Sequence, residues 1–284
     1  MTPDKHQAAK EAALLRVVNA AISSGEIEGW RPTREDAELL GQVARGNLAP
    51  VTAVDHLCST FEAHFRLQSN DIGAIEFNWN MASWSDYVYA GTDVLVNRLN
   101  IRDGGQLGHL EGTLVAVRTI ELLVGGASIP DGLDGSQLRG LHNHLAQDLY
   151  PWAGKYRSVP IGKKWSQFAP IDAIDACVAR AAAIAAETDW PATSDDEFAE
   201  QAAAVYAWLN YAHPFRDLNG RTTRLFMDEV AAQANREFNY GKISSDIWIQ
   251  RSAFTVPDRE QTGPQSKFMI PVFAVIARRL PDAG

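Results

Sequence analysis

Cysteine is almost missing from this chain: there are two in 284 residues, Cys58 and Cys177, far apart and without the spacing of a metal site or a disulfide framework. That excludes a disulfide-stapled secreted scaffold and fits a reducing compartment, with both thiols as buried apolar residues. Long hydrophobic runs are missing as well. No apolar stretch approaches the roughly 18 residues that a bilayer span requires, and the first residues are charged and polar, so neither a membrane span nor a secretory leader is read and the expected location is the cytoplasm. A basic excess is also lacking. Lys and Arg total 26 against 35 Asp and Glu, a net charge of −9, which argues against direct binding to nucleic acid or to an anionic membrane. Beyond an alanine bias there is no repeat or low-complexity segment. What remains, 46% hydrophobic and 21% charged residues, is the composition of a folded chain long enough for one large or two ordinary domains.

The chemistry is concentrated in one stretch, His213-Pro-Phe-Arg-Asp-Leu-Asn-Gly-Arg-Thr-Thr-Arg224, which packs a proton acceptor, a carboxylate and three guanidiniums into twelve residues. Before it, Ser194 and Glu197 stand in capping-box register, and Phe198, Val205, Leu209 and Ala212 recur on one helical stripe. His213 therefore falls at the C-terminal end of a helix. After it, Leu225, Phe226 and Val230 recur at helical spacing, so a second helix begins at Asn219 and Gly220. A helix start offers backbone N–H groups without intrahelical partners and the positive end of the dipole, and a polyphosphate uses both. Asp217, just ahead of that start, can hold Mg²⁺, which ordinarily keeps one or two protein carboxylates and takes its other ligands from phosphate and water. Arg216, Arg221 and Arg224 make a local basic cluster in an acidic whole, as suits a small anion rather than a polymer. The residues describe a phosphate site with a base at its lip; the plainer alternative is a capping histidine beside solvated arginines.

The stretch resembles the signature of Fic-domain proteins, His-x-Phe-x-Asp/Glu-Gly-Asn-Gly-Arg-x-x-Arg, at seven of its eight specified positions. The departure is Leu218, where the family has its first glycine. The resemblance implies an all-α protein, a Fic-type helical bundle with a short β-hairpin flap, spanning residues 82–284. It implies transfer of AMP from ATP, with Mg²⁺, to a hydroxyl side chain of a target protein. In that reading His213 is the base, Asp217 the metal ligand, and Asn219, Gly220, Arg221 and Arg224 bind the nucleotide. An imidazole, which titrates near neutral pH, suits the proton transfer, and guanidiniums suit the charge at phosphorus. Toxins of this group modify bacterial type II topoisomerase subunits, which supplies an expected target by analogy. Transfer of another phosphate-containing group, as by a kinase, stays open, as does a nucleotide- or partner-binding module without useful catalysis. Leu218 is the reason. Glycine permits positive φ and close approach of backbone to phosphate, whereas leucine there is strained, so either the loop has another geometry or nucleotide affinity is reduced.

Residues 1–66 read as a small three-helix unit. Thr2 and Pro3 open its first helix, which Gly29 ends; Thr33 with Asp36 starts the second, and Pro50 precedes the third. So small a core leans on the rest of the chain. Ser24-Gly-Glu-Ile-Glu28-Gly29 resembles the inhibitory motif Ser/Thr-x-x-x-Glu-Gly/Asn that accompanies Fic domains, with Ser24 and Glu28 on one helix face. The unit is similar to the small antitoxins that accompany Fic toxins, here fused to the toxin in one chain, and the resemblance implies that Glu28 pairs with Arg224. Residues 67–81 read as a linker, and 89–101 resemble the opening of toxin-type Fic domains.

Further helices are expected over 107–123, 134–149, 171–186 and 268–280. His142 and His144 cannot share a helix face and are read as structural or surface residues. Between 150 and 170 the helical habit breaks. Gly162, between Ser158-Val-Pro-Ile and Trp165-Ser-Gln-Phe, reads as a hairpin turn. This hairpin resembles the Fic flap, which implies that Val159, Pro160, Ile161 and Gly162 dock the target segment by strand pairing.

Overall fold

The computed structural model describes residues 3–66, 83–163, 166–258 and 263–281; the expected linker lies outside them. Two compact units result, residues 1–128 with 144–153 and residues 129–143 with 154–284. The all-α expectation holds: among the described residues ten α-helices carry the chain, and the strands are two short antiparallel pairs. No described helix is long and apolar enough to cross a membrane.

In the first unit, α1 (Pro3–Ile27), α2 (Arg34–Ala44) and α3 (Pro50–Arg66) pack on α4 (Gly104–Leu123). Helix α4 is buried on most of its circumference, with Leu110, Val117 and Ile120 fully enclosed, as a central helix must be. Helix α1 stops at Ile27, and Gly29 follows at φ +92°, a conformation glycine takes without steric cost. The next residue, Trp30, is driven between two helices. A Cβ added at Gly112 of α4 would lie 2.1 Å from its indole, and one at Gly25 of α1 would lie 2.5 Å away, so the bare faces of two glycines form the slot. Thr33 and Asp36 start α2 as expected, and do so by a capping box. Asp36 does more than cap: its Oδ1 accepts the Thr113 hydroxyl of α4 at 2.7 Å, and its Oδ2 lies 3.3 Å from His109. His144 is buried here, its Nε2 3.1 Å from the Arg118 carbonyl, so of the two readings left open for it the structural one holds.

The second unit contains α5 (Gly135–Ala146) through residue 143, the strands β1 (Gly162–Lys163) and β2 (Ser166–Gln167), and the helices α6 (Ile174–Glu187), α7 (Asp195–Ala212) and α8 (Asn219–Gln233). It continues through β3 (Arg236–Phe238), α9 (Ser245–Thr255), α10 (Ile270–Ile276) and β4 (Ala277–Arg279). Helix α7 is its axis. Ser194 and Glu197 cap it as read, and their hydrogen bonds hold the Glu197 carboxyl below its ordinary range. Phe198, Ala202, Ala203, Val205 and Ala207 are fully buried against neighbouring helices.

Two expectations need correction. The last helix does not run over 268–280; it stops at Ile276 and gives way to β4, which pairs antiparallel with β3, Arg236 opposite Arg279 and Phe238 opposite Ala277. A free strand edge beyond α8, with Glu237 facing Arg278 in an ion pair, wins over continued helical period. In the hairpin, Gly162 is not the turn. It sits in β1 opposite Gln167, with Lys163 opposite Ser166; the two connecting residues are outside the described ones. Pro160 has no N–H to give a ladder, which moves the pairing past it.

Candidate active site

The site is the junction of α7 and α8, and its geometry follows from how those helices end and begin. Helix α7 terminates on His213 in the left-handed conformation, φ 37° and ψ 58°, its N–H still bonded to the Leu209 carbonyl at 3.0 Å. Proline at 214 forbids continuation. The carbonyls left over at a helix end need donors. Ala169 N–H meets Tyr211 O at 2.9 Å, and the Arg157 guanidinium meets His213 O at 2.9 Å and Ala212 O at 3.3 Å.

Between the helices, the loop is closed by Asn219. Its Oδ1 accepts the Phe215 N–H and its Nδ2 donates to the Phe215 carbonyl, both at 2.8 Å. The side chain of Asn219 is thereby committed to the loop, while its backbone stands in the first turn of α8 with Gly220 and Arg221, whose N–H groups have no intrahelical acceptor by position. Asp217 Oδ1 accepts Leu218 N–H at 2.7 Å. Leu218 has φ 59° and ψ 11° and is 2% exposed. The backbone therefore takes the left-handed geometry that suits glycine and carries leucine in it, at a strain of about 1–2 kcal/mol.

His142 supports this loop from behind. Its ring stacks on Phe215 at 3.7 Å, nearly parallel. Nδ1 accepts the Gly154 N–H at 2.8 Å, so the proton is on Nε2, which donates to the Asp217 carbonyl at 3.3 Å. Burial, with the nearby Arg221 charge adding to it, pushes this imidazole down to about 3, so it stays neutral. Of the readings structural or surface, His142 has the first. Both arginines of α8 are buried, Arg221 at 7% and Arg224 at 1% exposure. Tyr240 donates to the Arg224 carbonyl at 3.0 Å and lies 2.9 Å from Asp228. Burial lifts the Asp228 carboxyl to about 7, against the Tyr240 hydrogen bond and the Arg224 charge that lower it.

The hairpin arms belong to the same place. Val159 is buried and its carbonyl accepts from Arg157 at 2.9 Å, while Pro160 and Gly162 are exposed and Ile161 half-buried. From the returning arm, Phe168 lies parallel on the His213 ring at 3.7 Å. The structure thus sets the hairpin arms against His213 and the end of α7, and places Asp217, Asn219, Gly220, Arg221 and Arg224 along the loop and the first two turns of α8. Ser24, Glu28 and Gly29 are in the first unit. Ser24 lies in the last turn of α1 and Glu28 one residue past its end, in the turn that closes it, so the shared helix face expected of that pair is not complete. Arg157 and Phe168 were not singled out by sequence, and His142 was read only as a structural or surface residue. An arginine after Gly-Lys-Tyr carries no chemical motif, and only the knowledge that α7 ends at His213 creates the demand it fills.

A model of the Fic/DOC family matches residues 132–231. The chain is 36% identical over 158 residues to a probable protein adenylyltransferase of Sinorhizobium fredii, covering 55% of this chain and 79% of that one. It is 30% identical over 167 residues to the probable protein adenylyltransferase Fic of Escherichia coli, covering 58% and 80%. Among solved structures, the N-terminal Fic domain of a putative cell filamentation protein from Bartonella quintana, with bound ADP, matches with a TM-score of 0.61 at 24% identity, over 68% of this chain and 95% of that one. The BepC protein of Bartonella tribocorum, with bound AMPPNP, matches with 0.59 at 24%, over 69% and 98%. At that identity the likeness is one of fold.

Proposed function

The chain belongs to the Fic/DOC family, and from that premise we propose that it is an autoinhibited protein adenylyltransferase, moving AMP from ATP to a hydroxyl side chain of a target protein. The observation that carries the reading is the α7–α8 junction, where His213 ends one helix and the first two turns of the next carry Asn219, Gly220, Arg221 and Arg224. His213 takes the proton of the incoming hydroxyl as its oxygen bonds to the α-phosphorus. The bond to the bridging oxygen breaks, and pyrophosphate leaves with the electron pair. Arg221, Arg224 and the helix-start N–H groups neutralise the phosphates, and Asn219 keeps the loop closed. Asp217 would hold Mg²⁺, which supplies further charge neutralisation. A lone carboxylate fits that ion, and no cluster of three or more metal-ligating side chains occurs among the described residues. Val159 to Gly162 would dock the target by strand pairing.

Residues 1–66 act in this proposal as an antitoxin-like inhibitory unit, joined by 67–81 to the Fic domain at 82–284. Glu28 pairs with Arg224 and occupies the place of the γ-phosphate, supported by Ser24 and by the turn at Gly29. Tethering favours it, since a linked inhibitor acts at an effective concentration on the order of millimolar. The target would be a bacterial cytoplasmic protein, a type II topoisomerase subunit by analogy.

The test is intact-mass analysis and α-labelled ATP incorporation, comparing the parent with Glu28→Gly and with Glu28→Gly/His213→Ala. Label should enter protein strongly only with Glu28→Gly. Incorporation from γ-labelled ATP instead would make it a kinase. Nucleotide binding without either transfer would make it a binding module, and equal transfer by parent and Glu28→Gly would remove the inhibitory role.

A further inference from the structure

We infer that Arg157 is a positioning residue that locks the flap and His213 into one fixed relation. The inference rests on the proposed role of His213 as base. Arg157 is 2% exposed, and a buried guanidinium must be bonded to offset its desolvation. Its donors fall on two separate pieces of chain. Nε reaches His213 O at 2.9 Å and Nη2 reaches Ala212 O at 3.3 Å, both at the end of α7; Nη1 reaches Val159 O at 2.9 Å and Nη2 also reaches Ala169 O at 2.5 Å, on the two arms of the hairpin. Backbone bonds run parallel to these, Arg157 N–H to Pro214 O at 2.8 Å and Ala169 N–H to Tyr211 O at 2.9 Å. The cation also sits where a helix dipole favours one.

The consequence concerns the imidazole. Phe168 precedes Ala169, whose carbonyl Arg157 holds, and its ring covers His213 at 3.7 Å. His213 is thus held at its carbonyl by the Arg157 guanidinium and covered at its ring by Phe168, the residue next to the Ala169 carbonyl that the same guanidinium holds. An acceptor hydroxyl laid along the flap would then meet a base whose distance from the flap does not vary. Lysine keeps the charge but not the planar five-donor fork, so Arg157→Lys separates geometry from charge.

The experiment uses the full chain carrying Glu28→Gly and ¹³C-labelled histidine. The His213 Cε1–H resonance is identified by its loss in His213→Ala. In the parent, the stacked Phe168 ring displaces this resonance by its ring current. Arg157→Lys should return it toward the position of an unstacked histidine, as should Phe168→Leu. AMP transfer should fall at least tenfold, while AMPPNP affinity by calorimetry stays within about twofold. An unmoved resonance in folded Arg157→Lys overturns the inference, as does a loss of nucleotide affinity as large as the loss of turnover. A resonance that moves in a chain that transfers no AMP at all supports the positioning and sinks the adenylyltransferase reading alone. Should Arg157→Lys not fold, hydrogen exchange of the parent decides. The amides of Arg157, Ala169 and His213 should open as one cooperative unit, and independent opening of Ala169 overturns the lock.

Discussion

Replacing Leu218 by glycine sets two terms of opposite sign against each other, and the structure supplies both. At φ 59° the leucine backbone carries about 1–2 kcal/mol of strain that glycine releases. Its side chain, however, is 2% exposed, and truncating a buried leucine costs about 2–5 kcal/mol. The greater freedom of glycine in the unfolded chain adds about 0.5–1 kcal/mol to the loss. The variant should therefore be less stable by about 2 kcal/mol, which for a chain of this size lowers the melting midpoint by roughly 4–8 °C. Nucleotide affinity should move the other way. With no side chain at the entry to α8, the backbone can approach a phosphate closely, and one added hydrogen bond to a charged group contributes about 1.5–3 kcal/mol, on the order of ten- to a hundredfold in Kd. Denaturation and AMPPNP calorimetry on the same preparation read the two effects separately, with Leu218→Asn, which tolerates the left-handed region, as the intermediate case. A glycine variant as stable as the parent would refute the burial argument. Unchanged nucleotide affinity would refute the crowding argument and mean that the loop has been adapted to leucine.

Gly112→Ala should evict Trp30, because the new methyl would lie 2.1–2.4 Å from three indole atoms. The loss should approach the 3–5 kcal/mol of deleting a buried tryptophan, and a shift under 1 kcal/mol in chemical denaturation would show that the slot adapts. If the N-terminal helices inhibit, the same variant should raise AMP transfer, and Trp30→Ala should do likewise. Asp228→Asn tests linkage. With a folded-state value of about 7 above an unfolded one of about 3.9, the stabilisation from the protonated carboxyl is full below about pH 4 and is lost as pH rises through 7. The asparagine variant should gain on the parent over that window by at most about 4 kcal/mol; parallel stability curves from pH 4 to 8 would contradict it.

The parts of this protein that could be read from sequence are those whose physics is local. Ser194 with Glu197, Thr33 with Asp36 and Gly29 announce helix ends because a cap is a contact between residues a few positions apart. That the signature loop joins the end of one helix to the start of the next was legible for the same reason, whereas the geometry at Leu218 stayed open until the structure gave it. What was not legible depends on partners brought from a distance. Nothing near 277–279 marks a strand, since its reason is the edge of β3 some forty residues earlier, and helical spacing through Phe273 and Ile276 continues plausibly past the true end. Likewise His142 reads as one of two histidines on a helix until Asp217 O and the Phe215 ring supply its task. Arg157 is the clearest case, because α7 exposes carbonyls only where it stops and the hairpin arms supply theirs only where they return. Local motifs therefore identify the groups that would do chemistry, whereas the groups that fix their geometry are found by asking which buried donors and acceptors the fold leaves to be satisfied. On that argument, the residues around His213 whose substitution leaves composition and motif intact, Arg157→Lys and Phe168→Leu above all, are where motif-based inference about activity should fail first.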